Sequence, residues 1–552
     1  MVKYTLSYEA AHRHELMISA TFPTHGQAQM ELQLPRWRPG RYELGNFAKN
    51  LLRFEIPDFS FEAKGNHTWL VQCEGAKEIR VHYVYCAAEL NAGSTYLTAE
   101  QLYVNPVNCF LYNSQFQDEA CEIQLVLPEN YQLLGGMKQT AKHQMQAKNV
   151  QELMDCPFMA AEEIEHWTYT CEGIPFHICL LGKHHLNKEK VLQEFAAFTQ
   201  VQLEAFGGFP VDEYYFLFQL PPFPVRHGVE HENSTVIALG PGAEVHEGSL
   251  YKDFLGISSH ELYHTWNVKS IRPKEMMPYD FSKENYSRLG YVAEGVTTYY
   301  GDEMLHRSGV FSDETYLATM EEQLHRHFWN WGWMNKSVAD SSYETWLDGY
   351  ERGVPGRKVS IYTEGCLIAF ICDEMIKEAS EGRLSLDDVM KLMWEKYGKK
   401  GIGYSEEDYW SAMSEVLELD YSGVRNDLVS GTEDYGPYLS RAFRSAGILW
   451  EQNEIGFFET RLGLRLMKQG EQIVVWDVYP NSPGDQAGLW VGDVLVSLNE
   501  HLLDKNWNAI TEVINNKEIL TIKALRRGTS LSVGLKSSER SYFLRHSLAY
   551  QQ

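Results

Sequence analysis

The sequence has no apolar run approaching the roughly 18 residues that a membrane-spanning helix needs, so no transmembrane segment and no membrane partner are expected. Its first residues, MVKYTLSYEAAHRHELM, lack the apolar core of a secretory leader. The 9 cysteines are odd in number, and no two stand in a C-x-x-C pair. That argues against a disulfide framework and against a sulfur-ligated zinc module. Reduced, buried thiols in a cytoplasmic protein are the expectation. Positive charge is also scarce, with 49 Lys+Arg against 75 Asp+Glu and a net charge of −26. Such a surface repels nucleic acid phosphates and anionic lipid heads, whereas it suits a cationic group such as a peptide amine. Tandem repeats and low-complexity linkers are missing as well.

What remains is an ordinary globular composition, 44% hydrophobic and 13% aromatic over 552 residues. At roughly 150 residues per domain, this length allows three or four domains. The first 170 or so residues read as β structure. KEIRVHYVY (77–85) alternates apolar and polar residues as a half-buried strand does, and EIQLVLPENYQLL (122–134) is similar. Turn residues punctuate the region, as in LPRWRPGRYELGN (34–46), which predicts a β-sandwich or an open twisted sheet. From about residue 185 the period changes. Val191, Leu192, Phe195, Phe198 and Leu203 follow a helical repeat closed by Gly207 and Gly208. YYFLFQL (214–220) and NSTVIALG (233–240) read as strands, and helical patterns dominate from 250 to about 400. SLDDVMKLMWEKYG (385–398) predicts a helix capped by Ser385, with Asp388 in its first turn and Gly398 at its end.

The chemistry concentrates in GISSHELYHTWNVKSIRP (256–273). His260 and His264 are four residues apart, so on a helix both imidazoles face the same way. Zinc takes neutral nitrogen donors and, in a catalytic site, keeps one position open. Glu261 lies at the edge of the same face, within reach of a water on the metal, where a carboxylate can act as base. YVAEGVTTYY (291–300) offers Glu294 as a third ligand on the next helical segment, the gluzincin arrangement, with one zinc ion per chain. A competing pattern, HGVEH (227–231), matches the inverted H-x-x-E-H motif. That motif needs a helix. Here Gly228 interrupts it, PPFPV precedes it and a β-rich segment comes after it, so a strand carrying substrate-contacting groups is the preferred reading.

HELYHTWNVKSIRP followed by AEGVTTYY resembles the glycyl aminopeptidase family of metallopeptidases, and HxWNxKxIRP is far more specific than H-E-x-x-H alone. LPRWRPGRYELGNFAKN (34–50), HGVEHENST (227–235), DSSYETWLDGY (340–350) and YTEGCLIAFICDEMI (362–376) match in the same order. The resemblance implies a multidomain α+β chain. Its parts would be an N-terminal β-sandwich-like domain (1–170), a thermolysin-like, mostly helical catalytic domain (171–450) and a C-terminal PDZ domain (455–540). It also implies zinc and hydrolysis of peptides from a free N-terminus, in some members with a preference for Gly or Ala. By similarity to the more distant aminopeptidase N group, Glu230 would hold the substrate amine, with Gly228 beside it, and Tyr362 would stabilise the oxyanion. The family usually has Gly where this chain has His227.

TRLGLRL (460–466), the stretch 473–503 and ILTIKALRRG (519–528) resemble a PDZ domain, most specifically in S-P-x-x-A-G-L-x-x-G-D from Ser482 to Asp493. Leu462, Gly463 and Leu464 would form the loop that catches a ligand's carboxylate, making a peptide or protein a partner there. Arg461 and Glu500 depart from the usual pattern. Two alternatives stay open. One is an endopeptidase with the same zinc site. The other is a PDZ adaptor whose zinc is structural, against which the presence of Glu261 argues.

Overall fold

The computed structural model describes residues 1–350, 353–499, 501–503 and 519–551. The chain is a multidomain α+β protein, β-rich at its N-terminal end and largely helical after residue 248, with a further strand-rich module near its C-terminus. KEIRVHYVY forms the strand Glu78–Cys86, with Ile79, Val81 and Tyr83 buried and the residues between them exposed. It belongs to a seven-stranded sheet that also holds Val2–Ala10, Glu15–Pro23 and Cys121–Val126. The stretch 122–134 divides, because its second half, Gln132–Gly135, joins a different, four-stranded sheet. That smaller sheet serves two cores. In its strand Gln101–Val104, Leu102 and Val104 face the large core, whereas Tyr103 joins a second cluster with Leu217, Val236 and Ala238. The period-2 alternation of a strand thus joins the N-terminal unit to the sheet that carries Leu217 and Val236.

That sheet has five strands, ordered Glu165–Cys171, Ile174–Gly182, Tyr214–Leu220, Ser234–Gly240 and Val225–Glu230. YYFLFQL runs through its middle and is buried along almost its whole length, as a strand covered on both faces must be. Val225–Glu230, which carries most of HGVEH, is the antiparallel edge strand. The helix Lys188–Phe206 starts at Asn187, whose side chain caps the Lys190 amide, and stops at Gly207 in the left-handed region (φ 72°). SLDDVMKLMWEK forms Leu386–Lys396 with a full capping box between Ser385 and Asp388.

Three segments of the helical part build the cleft. Gly248–Tyr263 carries His260 and Glu261, with His264 as its C-cap. Tyr291–Val296 is a π-helical turn carrying Glu294 and continues into Thr297–Arg307. Ile361–Ser380 crosses that turn with Tyr362 in its first turn. The crossing is close because both sides are glycine. A Cβ on Gly365 would lie 2.3 Å from the Tyr291 carbonyl oxygen and 2.6 Å from the Gly295 Cα. Backbone-to-backbone contact here brings the start of one helix up to the carboxylate of the other.

At residue 448 the chain leaves this body on Ile448–Glu454 and returns on Leu544–Tyr550, the two strands pairing antiparallel from Ile448↔Tyr550 to Glu454↔Leu544. The returning strand is fastened to the helix Asp313–Phe328: the His546 amide donates to His325 Nε2 (2.9 Å), and the Leu548 amide to Glu321 Oε1 (2.7 Å). Between them lies a module with its own small core of Phe458, Leu462, Leu464, Val475, Leu495, Ile522 and neighbours. In it Ser482 caps the short helix Pro483–Gln486, and Asp493 accepts two hydrogen bonds from Arg526 (2.9 and 2.7 Å). Both are structural roles for the Ser482–Asp493 signature. Asn499 takes a left-handed φ of 54°. Glu500, where glycine is common, lies outside the described residues.

Candidate metal centre

Three donor atoms from His260, His264 and Glu294 lie within 4.8 Å of one another. His264 Nε2 is 3.0 Å from His260 Nε2 and 3.4 Å from Glu294 Oε2. Ligand atoms about 2.0–2.2 Å from one tetrahedral ion sit about 3.3 Å apart, so these two spacings suit a shared metal ion. His264 Nδ1–H donates to the Asn267 carbonyl (2.8 Å), which turns Nε2 toward the other donors. Tyr42 donates to Glu294 Oε1 (2.8 Å), leaving Oε2 for the cluster.

The residues after His264 explain why this string is so specific. Trp266 stacks on Phe206 (4.6 Å, 5°), and its indole N–H reaches the Gly208 carbonyl. The Asn267 side chain donates to the carbonyls of Val292 (2.9 Å) and Ala293 (3.2 Å), tying the His260 helix to the turn that presents Glu294. Lys269 enters the interior to meet Asp155 of the N-terminal unit at 2.8 Å. Arg272 covers the ring of Tyr279 at 4.0 Å. Between Asn267 and Lys269, Val268 holds φ 112°, a region costly for a β-branched residue. The two buried neighbours fix it there.

Glu261 is buried, and its Oε2 has no hydrogen-bond partner among the described residues. Its other oxygen is roofed by the edge strand, where a Cβ on Gly228 would come within 2.3 Å of Oε1. Only glycine lets the strand pass this close. Two residues on, the same strand face presents Glu230, whose carboxylate groups with Glu261 and His264 within 4.8 Å. Burial, and then the carboxylates of Glu230 and Glu294, push the Glu261 carboxyl well above its ordinary range, although His264 pulls the other way. Burial alone would lower His264, but Glu294, Glu230 and Glu261 together raise it to about 10. Burial and the neighbouring His264 hold His260 well below its usual value.

Tyr362 lines the same cleft as His260 and Glu261, a cavity of about 580 Å³. Burial and the Glu294 charge keep its phenol protonated far beyond the ordinary range. Of HGVEH only Glu230 joins a cluster of possible metal donors, whereas His227 and His231 join none among the described residues. Most of the motif lies on a strand, where His227 Nε2 accepts from the Arg38 guanidinium (3.2 Å), and His231 Nδ1–H donates to Asp155 (3.1 Å). The motif's spacing is thus used for different contacts. Leu462, Gly463 and Leu464 do not line this cleft and belong to the C-terminal module. The two leucines are buried in its core, and the Gly463 carbonyl accepts from the Tyr479 amide (2.8 Å).

Residues 3–162 match the family model for the peptidase M61 N-terminal domain, and residues 253–368 that for M61 glycyl aminopeptidase. The chain belongs to the M61 glycyl aminopeptidase family. It is thus a member of a peptidase family, and the second match spans His260, Glu261, His264, Glu294 and Tyr362. A crystal structure of an aminopeptidase N family protein from Idiomarina loihiensis shares the M61 chain's fold. It is 24% identical, with a TM-score of 0.89 over 100% of this chain and 98% of that one. An M1 zinc metallopeptidase mutant from Deinococcus radiodurans, bound to a Tyr-Ser-Ala substrate, is 12% identical, with a TM-score of 0.48 over 77% of this chain and 92% of that one. No curated protein matches the sequence. No helix among the described residues is long and apolar enough to cross a membrane.

Sequence reasoning missed Tyr42 and Arg38 as parts of the M61 site. Both lie in LPRWRPGRYELGNFAKN, a segment that drew attention only for its turn residues and family likeness. Its Gly40, at φ 76°, abuts Glu230: a Cβ there would come within 2.4 Å of the carboxylate. The N-terminal unit therefore walls the cleft at the Glu230 end.

Proposed function

We propose that the chain is a zinc aminopeptidase, with His260, His264 and Glu294 holding one zinc ion. The observation that carries this reading is the convergence of those donors beside a buried Glu261 with an unpartnered oxygen. Zinc, when bound, supplies Lewis acidity and lowers the pKa of water toward 7. The remaining chemistry belongs to the chain. Glu261, its carboxyl raised by burial, takes the proton of the attacking water and passes it to the leaving nitrogen. The Tyr362 phenol donates to the carbonyl oxygen as it gains charge, a contribution of about 3–4 kcal/mol for such donors. Glu230 receives the substrate ammonium in a charge-assisted contact and sets which bond lies at Glu261. A preference for a small first residue such as Gly or Ala fits the close wall at Gly40 and the presence of His227 beside Gly228.

The same proposal divides the chain into a β domain (1–170), a thermolysin-like catalytic domain (171–450) and a PDZ domain (455–540). For the last, support comes from Leu464–Gln469, an edge strand that pairs on one side only with Gln472–Val478 among the described residues. Such an edge can add a peptide strand, with Leu462, Gly463 and Leu464 at its start.

The test is a panel of free and N-acetylated aminoacyl chromogenic substrates, assayed with and without a chelator. Hydrolysis of free-amine substrates should require metal. Glu261→Gln should keep zinc and lose about 10²–10⁴ in rate. Glu230→Ala should fall sharply on free amines. Efficient cleavage of acetylated peptides by the parent would replace the aminopeptidase reading with the endopeptidase one.

A further inference from the structure

A second cavity, of about 720 Å³, adjoins the cleft and shares three lining residues with it, Glu322, Arg326 and Tyr362. One wall comes from the catalytic body, with Trp329, Trp331 and Pro355, and the opposite wall from the C-terminal module, with Arg465, Trp476 and Asp477. The module meets this second cavity with its hairpin Leu464–Gln469 and Gln472–Val478, through Arg465, Trp476 and Asp477. The loop Leu462–Leu464 takes no part in this wall. Contacts hold the walls in register. The Trp331 indole N–H reaches Asp477 Oδ1 (3.4 Å), the Arg465 guanidinium covers the Trp329 ring at 4.5 Å, and Trp329 Nε1–H donates to the Leu544 carbonyl (2.8 Å).

We infer that this cavity is a substrate subsite shared between the two bodies, which takes an aromatic side chain of the peptide downstream of the cleaved bond. The inference rests on the reading of Glu230 as the amine anchor. With the first residue held at Glu230 and the reacting bond at Glu261, the rest of the peptide leaves at the opposite end, past Tyr362. The lining shared through Tyr362, Glu322 and Arg326 makes the second cavity the continuation of that path. Trp329, under the Arg465 guanidinium, with Trp331, Trp476 and Pro355, brings apolar ring surface to the lining, and an aromatic ring gains burial and edge contacts there. The occupant is therefore a peptide of three or more residues carrying Phe, Tyr or Trp beyond its second position. Binding of the remote ring to a wall already in place adds to the amine contact as an intramolecular step.

The experiment uses the full chain with Glu261→Gln, which silences turnover, and calorimetric binding of alanine pentapeptides in which one Phe is walked through positions three to five. At least one Phe position should bind 10-fold or more tightly than pentaalanine. Trp476→Ala should abolish that gain, and Trp476→Phe should restore most of it. An affinity independent of Phe position overturns the inference, as does a gain that survives in a folded Trp476→Ala protein. Should that variant unfold, Trp331→Ala on the facing wall is read with the same two outcomes. Hydrolysis of alanine nitroanilide by the parent, a substrate too short to reach the cavity, reports separately on the peptidase reading. Failure there with the Phe gain intact overturns the proposed activity and leaves the site standing.

Discussion

Asp155→Asn should be among the most damaging single substitutions outside the metal centre. Asp155 is buried in the N-terminal unit and accepts from Lys269 Nζ at 2.9 and 2.8 Å, from His231 Nδ1 at 3.1 Å and from the Glu232 amide at 3.1 Å. It thus clamps the loop after His264 and the end of the edge strand to a third element. Burial opposes its charge, but Lys269 and His231 prevail and lower its pKa from 3.8 to about 2. At about 1.4 kcal/mol per tenfold change in proton affinity, that is about 2 kcal/mol of stability. Removing the charge costs more than this, because it strands Lys269, whose side chain is 1% exposed. Breaking a buried pair typically costs about 3–5 kcal/mol. Asp155→Asn with Lys269→Met, an apolar replacement of similar volume, should recover most of it. The pH dependence has a definite sign. A lowered carboxylate pKa gives stability that is present above pH 3.8 and lost as pH falls toward 2, so parent and variant should converge in acid. Guanidinium unfolding followed by tryptophan fluorescence measures all three proteins. A single variant within about 1 kcal/mol of the parent at pH 7 would refute the reasoning.

Gly228→Ala should fold, since the strain is local, yet lose at least 10-fold in kcat, because a Cβ 2.3 Å from Glu261 Oε1 must displace the carboxylate; an unchanged kcat would show that the strand yields instead. Gly365→Ala should lower the melting temperature through overpacking of about 1–3 kcal/mol against Tyr291 and Gly295, as calorimetry would show. In elemental analysis, His264→Ala and Glu294→Ala should lose zinc while His231→Ala keeps it; the reverse pattern would favour HGVEH as the ligand set. Replacing 455–543 by an Asn-Gly turn should give a folded protein active on aminoacyl substrates, because Glu454 and Leu544 are paired neighbours that a two-residue hairpin can join. Cutting the chain at 450 should instead destabilise it, because Leu544–Tyr550 is lost from its seat on Asp313–Phe328.

The two histidines of the proposed metal site stood out in the sequence because their geometry is local. Two histidines one helical turn apart face the same way wherever the helix lies, and capping at Ser385 or termination at Gly207 is set equally by neighbouring residues. The strand alternation of 77–85 was readable for the same reason. What the sequence conceals is contact at long range. Tyr42 reaches Glu294 across 252 positions, and Asp155 reaches Lys269 across 114. Neither residue type carries a local pattern, so only the specificity of HxWNxKxIRP hinted that each letter had a partner elsewhere. The division of 122–134 between two sheets was hidden because both halves alternate alike, and pairing partners are chosen by the rest of the fold. The placement of the C-terminal module was hidden most completely. Its signature residues Ser482 and Asp493 fix its own turns, whereas its position depends on a strand that returns about 90 residues after the chain first left the body. That return sets Trp476 opposite Trp331, so a wall of the proposed substrate path depends on the last strand of the chain.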